Sequence, residues 1–593
     1  MSGVRVARLT ALGGVRPIAL ALCAAVYVMI ALRFFPDDQG KLGDDYEYFL
    51  PLLLAGKYWI AENGFFSVPR FSPAFCGGVP LLANPQSIFY SAPQALSLVM
   101  NPIASMLATT LVFAAIGACS TYVLMRRRFA VSVEAASLSS VLFLFNGLLL
   151  HRMASGHATY HVVGLLPLLC YLLLTPIGAR PFRAMLFRAA GPVAGASAIL
   201  TYAAYAGALN IMVPLGIGCV VVWLIHALLT RPVAAFPILG AASATISAAA
   251  AAAKIVPAAV YVHNFPRLQE LQIFDRAIEV YHATFLGLFL PSLLPDHYWV
   301  VGKQELEFGV GVVPPLLLVA AYFRFRARGR WRLGGTARPL ELAALVLLLL
   351  LPLGLNYGGT AYAAWLKSLP YIGDNVILTR WLLIYILPLI VGAGLALDYV
   401  FPTAIQRSAV ALAGMILTVL PSFAFDNPFY DLHPYDPTPV LGADQALQST
   451  GKPPEITAVG GVVSFGARND GLISGTSAFP CYEPLFGYQL ESFPPNLVTG
   501  PLHSEGAEAA HLRDPACFLY GPENGCAPGD LFTAPRLWDE AAFASYRPFP
   551  FVVPKWQQWA DAISAIGLCM ILLGLALSSR NRLLGFANRA SAH

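Results

Sequence analysis

Apolar runs long enough to cross a bilayer recur along this chain, and they exclude most of what 593 residues could otherwise build. A segment in hydrocarbon must pair its own backbone groups, so such runs are read as helices. The totals agree: 57% of residues are hydrophobic, 12% are charged and the mean hydropathy is +0.64. No soluble domain of this length has that make-up. The expected fold class is an all-α polytopic membrane protein with a small mixed α/β extracytoplasmic region near the C-terminus. The net charge of +5 does not point to nucleic acid, because the basic residues are spread over short loops.

By apolar length we expect about twelve spans, near 17–35, 102–125, 133–150, 160–177, 189–206, 211–229, 236–262, 309–323, 339–356, 377–398, 408–424 and 557–578. Arg5, Arg8 and Arg16 precede the first, and no small-residue cleavage site follows it, so it reads as a retained signal anchor. An outer loop over 36–100 carries amphipathic stretches, and another of about 45 residues runs from His263 to Phe308. Three units follow: a transmembrane domain over 1–424, an extracytoplasmic domain over 425–556, and a last helix with a basic tail over 557–593. The second is rich in Pro, Gly, Asn and aromatics, with a weak strand signal at Ile456–Ser464.

Lysine and arginine in short loops set the orientation. With the N-terminus in the cytoplasm, the inside segments collect Arg126 to Arg128, Arg180, Arg183, Arg188, Arg231, the run Arg324 to Arg332, Arg407, Arg580 and Arg582. Both termini are then cytoplasmic. The Asp44 loop, the His151–His161 turn, the loop 263–308 and the 425–556 region share the outer side. The Ala-, Leu- and Arg-rich usage points to the inner membrane of a two-membrane bacterium. Cys23, Cys119, Cys170, Cys219 and Cys569 fall inside expected spans. Cys76, Cys481, Cys517 and Cys526 fall outside, where disulfides Cys517–Cys526 and Cys76–Cys481 are expected, with free thiols as the alternative.

Phosphate-loop, zinc-protease, hydrolase-elbow and dinucleotide motifs are absent from the sequence. What remains is an ordered set of outer-side groups. Gly43-Asp44-Asp45-Tyr46-Glu47 follows the first span and places three carboxylates in four positions. Charge beside a wall of helices marks a site. A solvated helix end explains it equally. Next come Arg70, Gly77-Gly78-Val79-Pro80 and Asn84-Pro85-Gln86…Phe89-Tyr90, then His151-Arg152…Gly156-His157, and Thr379-Arg380-Trp381 late in the chain.

In order and topology these segments resemble the GT-C superfamily of polytopic membrane glycosyltransferases, most of all the YfhO-like membrane proteins. The resemblance rests on Gly43-Asp44, Gly77-Gly78-x-Pro80…Phe89-Tyr90, Gly156-His157 with Pro167 beyond, and Arg380, and covers roughly 15–400. It implies a polyprenyl-phosphate-linked sugar as donor and an extracytoplasmic glycan, lipid or protein as acceptor. It also implies an acid of the first outer loop that acts as general base or helps position a divalent metal. Asp44 takes the position after Gly43 that the family gives its acid, with Asp45 and Glu47 the further candidates; the adjacent acids depart from a single-acid pattern. A carboxylate can take the acceptor's proton, and the leaving phosphate needs cations. Arg70, Arg152, Arg267, Lys303 and Arg380 are the candidates for that, with His151 and His157 for phosphate or sugar. Tyr46 and Tyr90 are candidates for a sugar platform. A Mg²⁺ or Mn²⁺ ion on Asp44, Asp45, Glu47 and His157 stays open. So do snorkelling for Arg380, carbonyl-bonded interfacial histidines, and an interfacial aromatic belt. A lipid or polysaccharide transporter or flippase, or a non-catalytic envelope scaffold, are the competing functions.

Overall fold

The structure, a computed structural model, describes residues 3–590 except 34, 37–38, 178–181, 231–234, 266–273, 275, 296–304, 329–338, 358, 370–371, 374–376, 423–433, 462–466, 480–481, 483–489, 491–492 and 503–508. Six described helices are long and apolar enough to cross a membrane: Pro102–Arg127, Val133–Ser155, Leu209–Leu229, Leu378–Val400, Ala404–Ser422 and Lys555–Ser579. Two bent pairs raise this to eight if each is one span. Ala235–Ala250 meets Ala252–Asn264 at 75°, and Pro339–Leu355 meets Thr360–Lys367 at 111°.

The expected twelve are therefore not reached among the described residues. The fourth run forms the shorter apolar helix Ala158–Leu173, the eighth is the 16-residue helix Val313–Arg328, and the first lies in the 31-residue helix Gly3–Arg33. Apolar composition runs on through breaks in a helix, so hydropathy alone does not separate one span from a pair of shorter helices. The loop 263–308 contains an unexpected apolar helix, Ala277–Phe289. Helix starts follow local chemistry. Asn101, Ser132 and Asn146 each accept a first-turn amide on the side-chain oxygen, pairing a donor the helix cannot satisfy itself.

The first outer loop opens with the helix Tyr46–Asn63. The sequence reads as amphipathic here, but Tyr46 to Trp59 are buried on every side. The cover comes from the C-terminal region. Lys57 makes a buried ion pair with Asp444, and the Tyr58 ring packs edge-on to Tyr546 at 5.4 Å. A two-residue hairpin, Phe71–Ser72 with Val79–Pro80, continues the loop. From its turn the Cys76 amide donates to the Ala478 carbonyl (3.0 Å), and the Arg513 amide donates to that of Gly77 (2.7 Å). The strands Thr476–Ala478, Ala458–Gly460 and Gly500–Pro501 form a small sheet in that order, the first pair parallel and the second antiparallel. Loop and C-terminal region bury one apolar core, which includes Phe49, Tyr58, Phe75, Leu472 and Phe543. Cys517 and Cys526 are disulfide-bonded. Cys76 is also disulfide-bonded, and Cys481 lies outside the described residues.

Candidate active site

Two glycines bring two backbones together. Gly43 faces the end of the helix Gly147–Ser155, where a Cβ on it would lie 2.2 Å from the Ala154 carbonyl oxygen. Gly156 has φ +97°, and a Cβ there would lie 2.6 Å from the Tyr46 nitrogen. Only glycine fits either position. The contact lets the Asp45 amide donate to the Ser155 carbonyl at 3.2 Å. The acidic loop is thus pinned against the His157 turn, and Asp44, Asp45 and Glu47 sit at the start of the helix Tyr46–Asn63. That end carries the partial positive charge of the helix dipole, which favours carboxylates.

The three acids differ in what they touch. Glu47 is fully buried and accepts from Arg468, whose Nε lies 2.7 Å from Oε1. The Arg468 guanidinium also covers the Tyr482 ring, 4.0 Å from its centroid. Asp45 Oδ2 lies 2.5 Å from His157 Nε2, and Asp45 Oδ1 accepts from the Tyr482 hydroxyl. Asp44 is half-buried, and among the described residues its only side-chain hydrogen bond is from the Asp45 amide at 3.0 Å. Burial first, then the charges of Asp45 and Glu47, push the Asp44 carboxyl up to about 8. Burial also pushes Asp45 up, but His157, Tyr482 and the more distant Arg380 outweigh it, and the carboxyl falls below the ordinary range.

His157 links acids to bases. Arg152 Nη1 lies 2.6 Å from His157 Nδ1. A guanidinium only donates, so Nδ1 accepts and Nε2 carries the proton that faces Asp45. The imidazole is then neutral, in line with burial, which pushes it below its ordinary value and prevails over Asp45. The other Arg152 nitrogen, Nη2, donates to Glu305 Oε2 at 2.6 Å. Arg380 grips the same carboxylate with a fork, Nη2 to Oε1 at 2.6 Å and Nε to Oε2 at 3.0 Å. Glu305 is buried; the two arginines overcome that burial and hold its carboxyl well below the usual range. An unbroken line of contacts therefore runs from Tyr482 and Asp45 through His157 and Arg152 to Glu305 and Arg380.

Other sequence candidates lie elsewhere. Arg70 pairs with Asp561 on the last long helix at 2.7 Å. Tyr90 is half-exposed beside Tyr205, with ring centroids 5.7 Å apart. Tyr46 is buried and donates to the Met153 carbonyl at 2.6 Å, so it braces the turn instead of facing outward. His161 is 2.7 Å from the Tyr202 hydroxyl and 2.6 Å from the Ala158 carbonyl, away from the acids. Arg267, Lys303 and the side chain of His151 lie outside the described residues.

The residues expected to hold a divalent cation do not gather one as placed. Asp45 and Glu47 are engaged by His157, Tyr482 and Arg468, and the His157 nitrogens by Asp45 and Arg152. No group of three metal-type ligands forms among the described residues. Three partners were missed: Arg468, Tyr482 and Glu305. Glu305, in Glu305-Leu306-Glu307 ahead of an apolar run, had a signal, since two acids beside a span need partners. For Arg468 and Tyr482 nothing local distinguishes them from other polar residues of a Gly-rich region.

No family model and no curated protein matches the sequence. In structure the chain is similar to the mycobacterial arabinofuranosyltransferase AftD, at 15% identity and a TM-score of 0.44, over 77% of this chain and 31% of that one. It is also similar to the Archaeoglobus fulgidus oligosaccharyltransferase solved with zinc and sulfate, at 14% identity and a TM-score of 0.40, over 68% of this chain and 53% of that one. The chain thus spans about a third of the first enzyme's length and about half of the second's. Its described helices, six to eight of them long and apolar enough to cross a bilayer, mark it as a membrane protein.

Proposed function

We propose that the chain is a GT-C-type membrane glycosyltransferase. It moves a sugar from a polyprenyl-phosphate donor to a hydroxyl of an extracytoplasmic glycan, lipid or protein, at the inner membrane of a bacterium. One observation carries the reading: a half-buried carboxyl, Asp44, with one oxygen unpartnered among the described residues, stands at one end of a contact network whose other end is the arginine pair Arg152 and Arg380.

Each part has a task in such a reaction. The acceptor oxygen attacks the anomeric carbon as Asp44 takes its proton. The bond from that carbon to the phosphate oxygen breaks, and the polyprenyl phosphate leaves with the electron pair. Arg152 and Arg380 stabilise the charge that grows on it. Asp45 does not serve as base, because His157 and Tyr482 hold it ionised with each oxygen hydrogen-bonded. It orients His157, which in turn orients Arg152. An Asp44 carboxyl near 8 exchanges its proton close to neutral pH, the range in which a general base works best. Mg²⁺ or Mn²⁺ is given no step, since Asp45 and Glu47 are already engaged.

The test uses the full chain in lipid nanodiscs with short-chain polyprenyl-phosphate sugars, with and without EDTA. Donor-dependent release of polyprenyl phosphate is expected. A protein that neither binds nor turns over any such donor moves the reading to transport, where flux assays decide.

A further inference from the structure

We infer that the Tyr160 hydroxyl binds substrate, donating a hydrogen bond to a phosphate oxygen of the lipid donor held by Arg152 and Arg380. The inference rests on the reading of the site given above and adds a residue to it.

Tyr160 is 4% exposed, and its hydroxyl has no hydrogen-bond partner among the described residues. Its ring is held in place. The Arg152 guanidinium lies 5.1 Å from the ring centroid, and the His157 ring lies 5.6 Å away at a 31° tilt. The hydroxyl is within electrostatic reach of Arg380, Arg152, Glu305 and Asp45. It therefore stands within reach of two arginines and two carboxylates and has no hydrogen bond to any of them.

That state is costly. Burying a hydroxyl without a partner forfeits its bonds to water. Other buried tyrosines here avoid it: Tyr46 donates to the Met153 carbonyl, Tyr435 to Asp470 and Tyr482 to Asp45. Tyr27 and Tyr546 also lack partners among the described residues, but they pack edge-on against Phe145 and Tyr58, and no described arginine lies over either ring. At Tyr160 the neighbouring cations only donate, Arg152 to His157 and Glu305, and Arg380 to Glu305. Neither supplies an acceptor for a phenol proton. An anion drawn by two arginines supplies one, and a phosphate has more oxygens than two guanidiniums use. A fixed donor already stripped of water binds such an oxygen at little further cost.

The experiment compares wild type with Tyr160→Phe, full-length in nanodiscs, and measures binding of a sugar-free short-chain polyprenyl phosphate. The expected result is a Kd about tenfold higher in the variant, the size of one hydrogen bond to a charged group. The unliganded variant should melt at the same temperature or higher, since the ring remains and an unpaired hydroxyl is gone. A residue needed only for folding would lower it. Inorganic phosphate is the second probe: a similar difference there, with no added affinity from the lipid tail, keeps the contact and makes its source free phosphate. Equal affinity of both proteins for both probes overturns the inference, as does weakening confined to the sugar-bearing donor. Wild type that binds no phosphate of either kind removes the transferase reading and this contact together.

Discussion

Around Arg70 the charged groups close on one another, whereas around Asp44 two polar groups are left over. Arg70 pairs with Asp561 at 2.7 Å, and Asp561 accepts from Gln557 at 2.7 Å. Nearby Lys254, 1% exposed, donates to the Ser87 and Tyr205 carbonyls at 2.9 and 3.1 Å, next to the break between the helices Ala235–Ala250 and Ala252–Asn264. The Asp44 cluster is just as rich in ion pairs, yet one Asp44 oxygen and the Tyr160 hydroxyl remain without partners among the described residues. Both clusters put ionisable groups beside apolar helices, the usual mark of function in a membrane protein. Saturation separates them. A network whose donors and acceptors are all used braces helices. One with groups to spare has something to offer a ligand.

Breaking each cluster should fail in its own way. The largest structural effect is expected at Arg468→Ala, which takes the arginine away from the buried Glu47 carboxylate; loss of such a partner costs roughly 3–5 kcal/mol. Thermal unfolding in nanodiscs measures it, and Glu47→Gln in the same chain should restore part. Gly156→Ala forces a side chain into φ +97° and against the Tyr46 backbone, so it should cost at least about 1–2 kcal/mol and lower turnover with it. The pH profile sharpens the contrast further. If Asp44 must be ionised to act, release of polyprenyl phosphate rises with pH, about tenfold per unit below the inflection near 8, and then levels. Stability runs the other way. The folded carboxyl is raised, so its contribution is present below the ordinary carboxylate pKa and is lost as pH rises through about 8. Asp44→Asn should flatten that decline. The smallest effect on chemistry belongs to Lys254→Met. It should lower the melting temperature and leave release per folded molecule within about twofold, as a brace would.

Part of this was legible in the sequence. The apolar runs located the helices, because bilayer length and hydropathy act locally. Gly43-Asp44 and Gly156-His157 stood out as motifs, and the structure explains why they go together: each glycine makes room for the other's backbone. The Cys517–Cys526 bond joins residues nine apart. What could not be read was long-range pairing. Arg468 meets Glu47 across 421 positions, and Glu305 meets Arg152 across 153. No periodicity encodes such partners, since they are chosen by how helices and loops pack. The burial of the helix Tyr46–Asn63 was hidden for the same reason. Its outer face looked solvent-directed until the C-terminal region covered it. Arg70 resembled a phosphate ligand for a related cause, because Asp561 lies 491 positions away.

The most direct measurement is single-turnover release of polyprenyl phosphate by wild type, Asp44→Asn and Asp561→Asn, each loaded with the same donor in nanodiscs. The account predicts that Asp44→Asn binds the donor but releases product about 10²–10⁴-fold more slowly, the usual contribution of a general base, while Asp561→Asn releases it at the wild-type rate. Undiminished release by Asp44→Asn, or a loss confined to Asp561→Asn, would contradict it and move the chemistry to the cluster that appears closed.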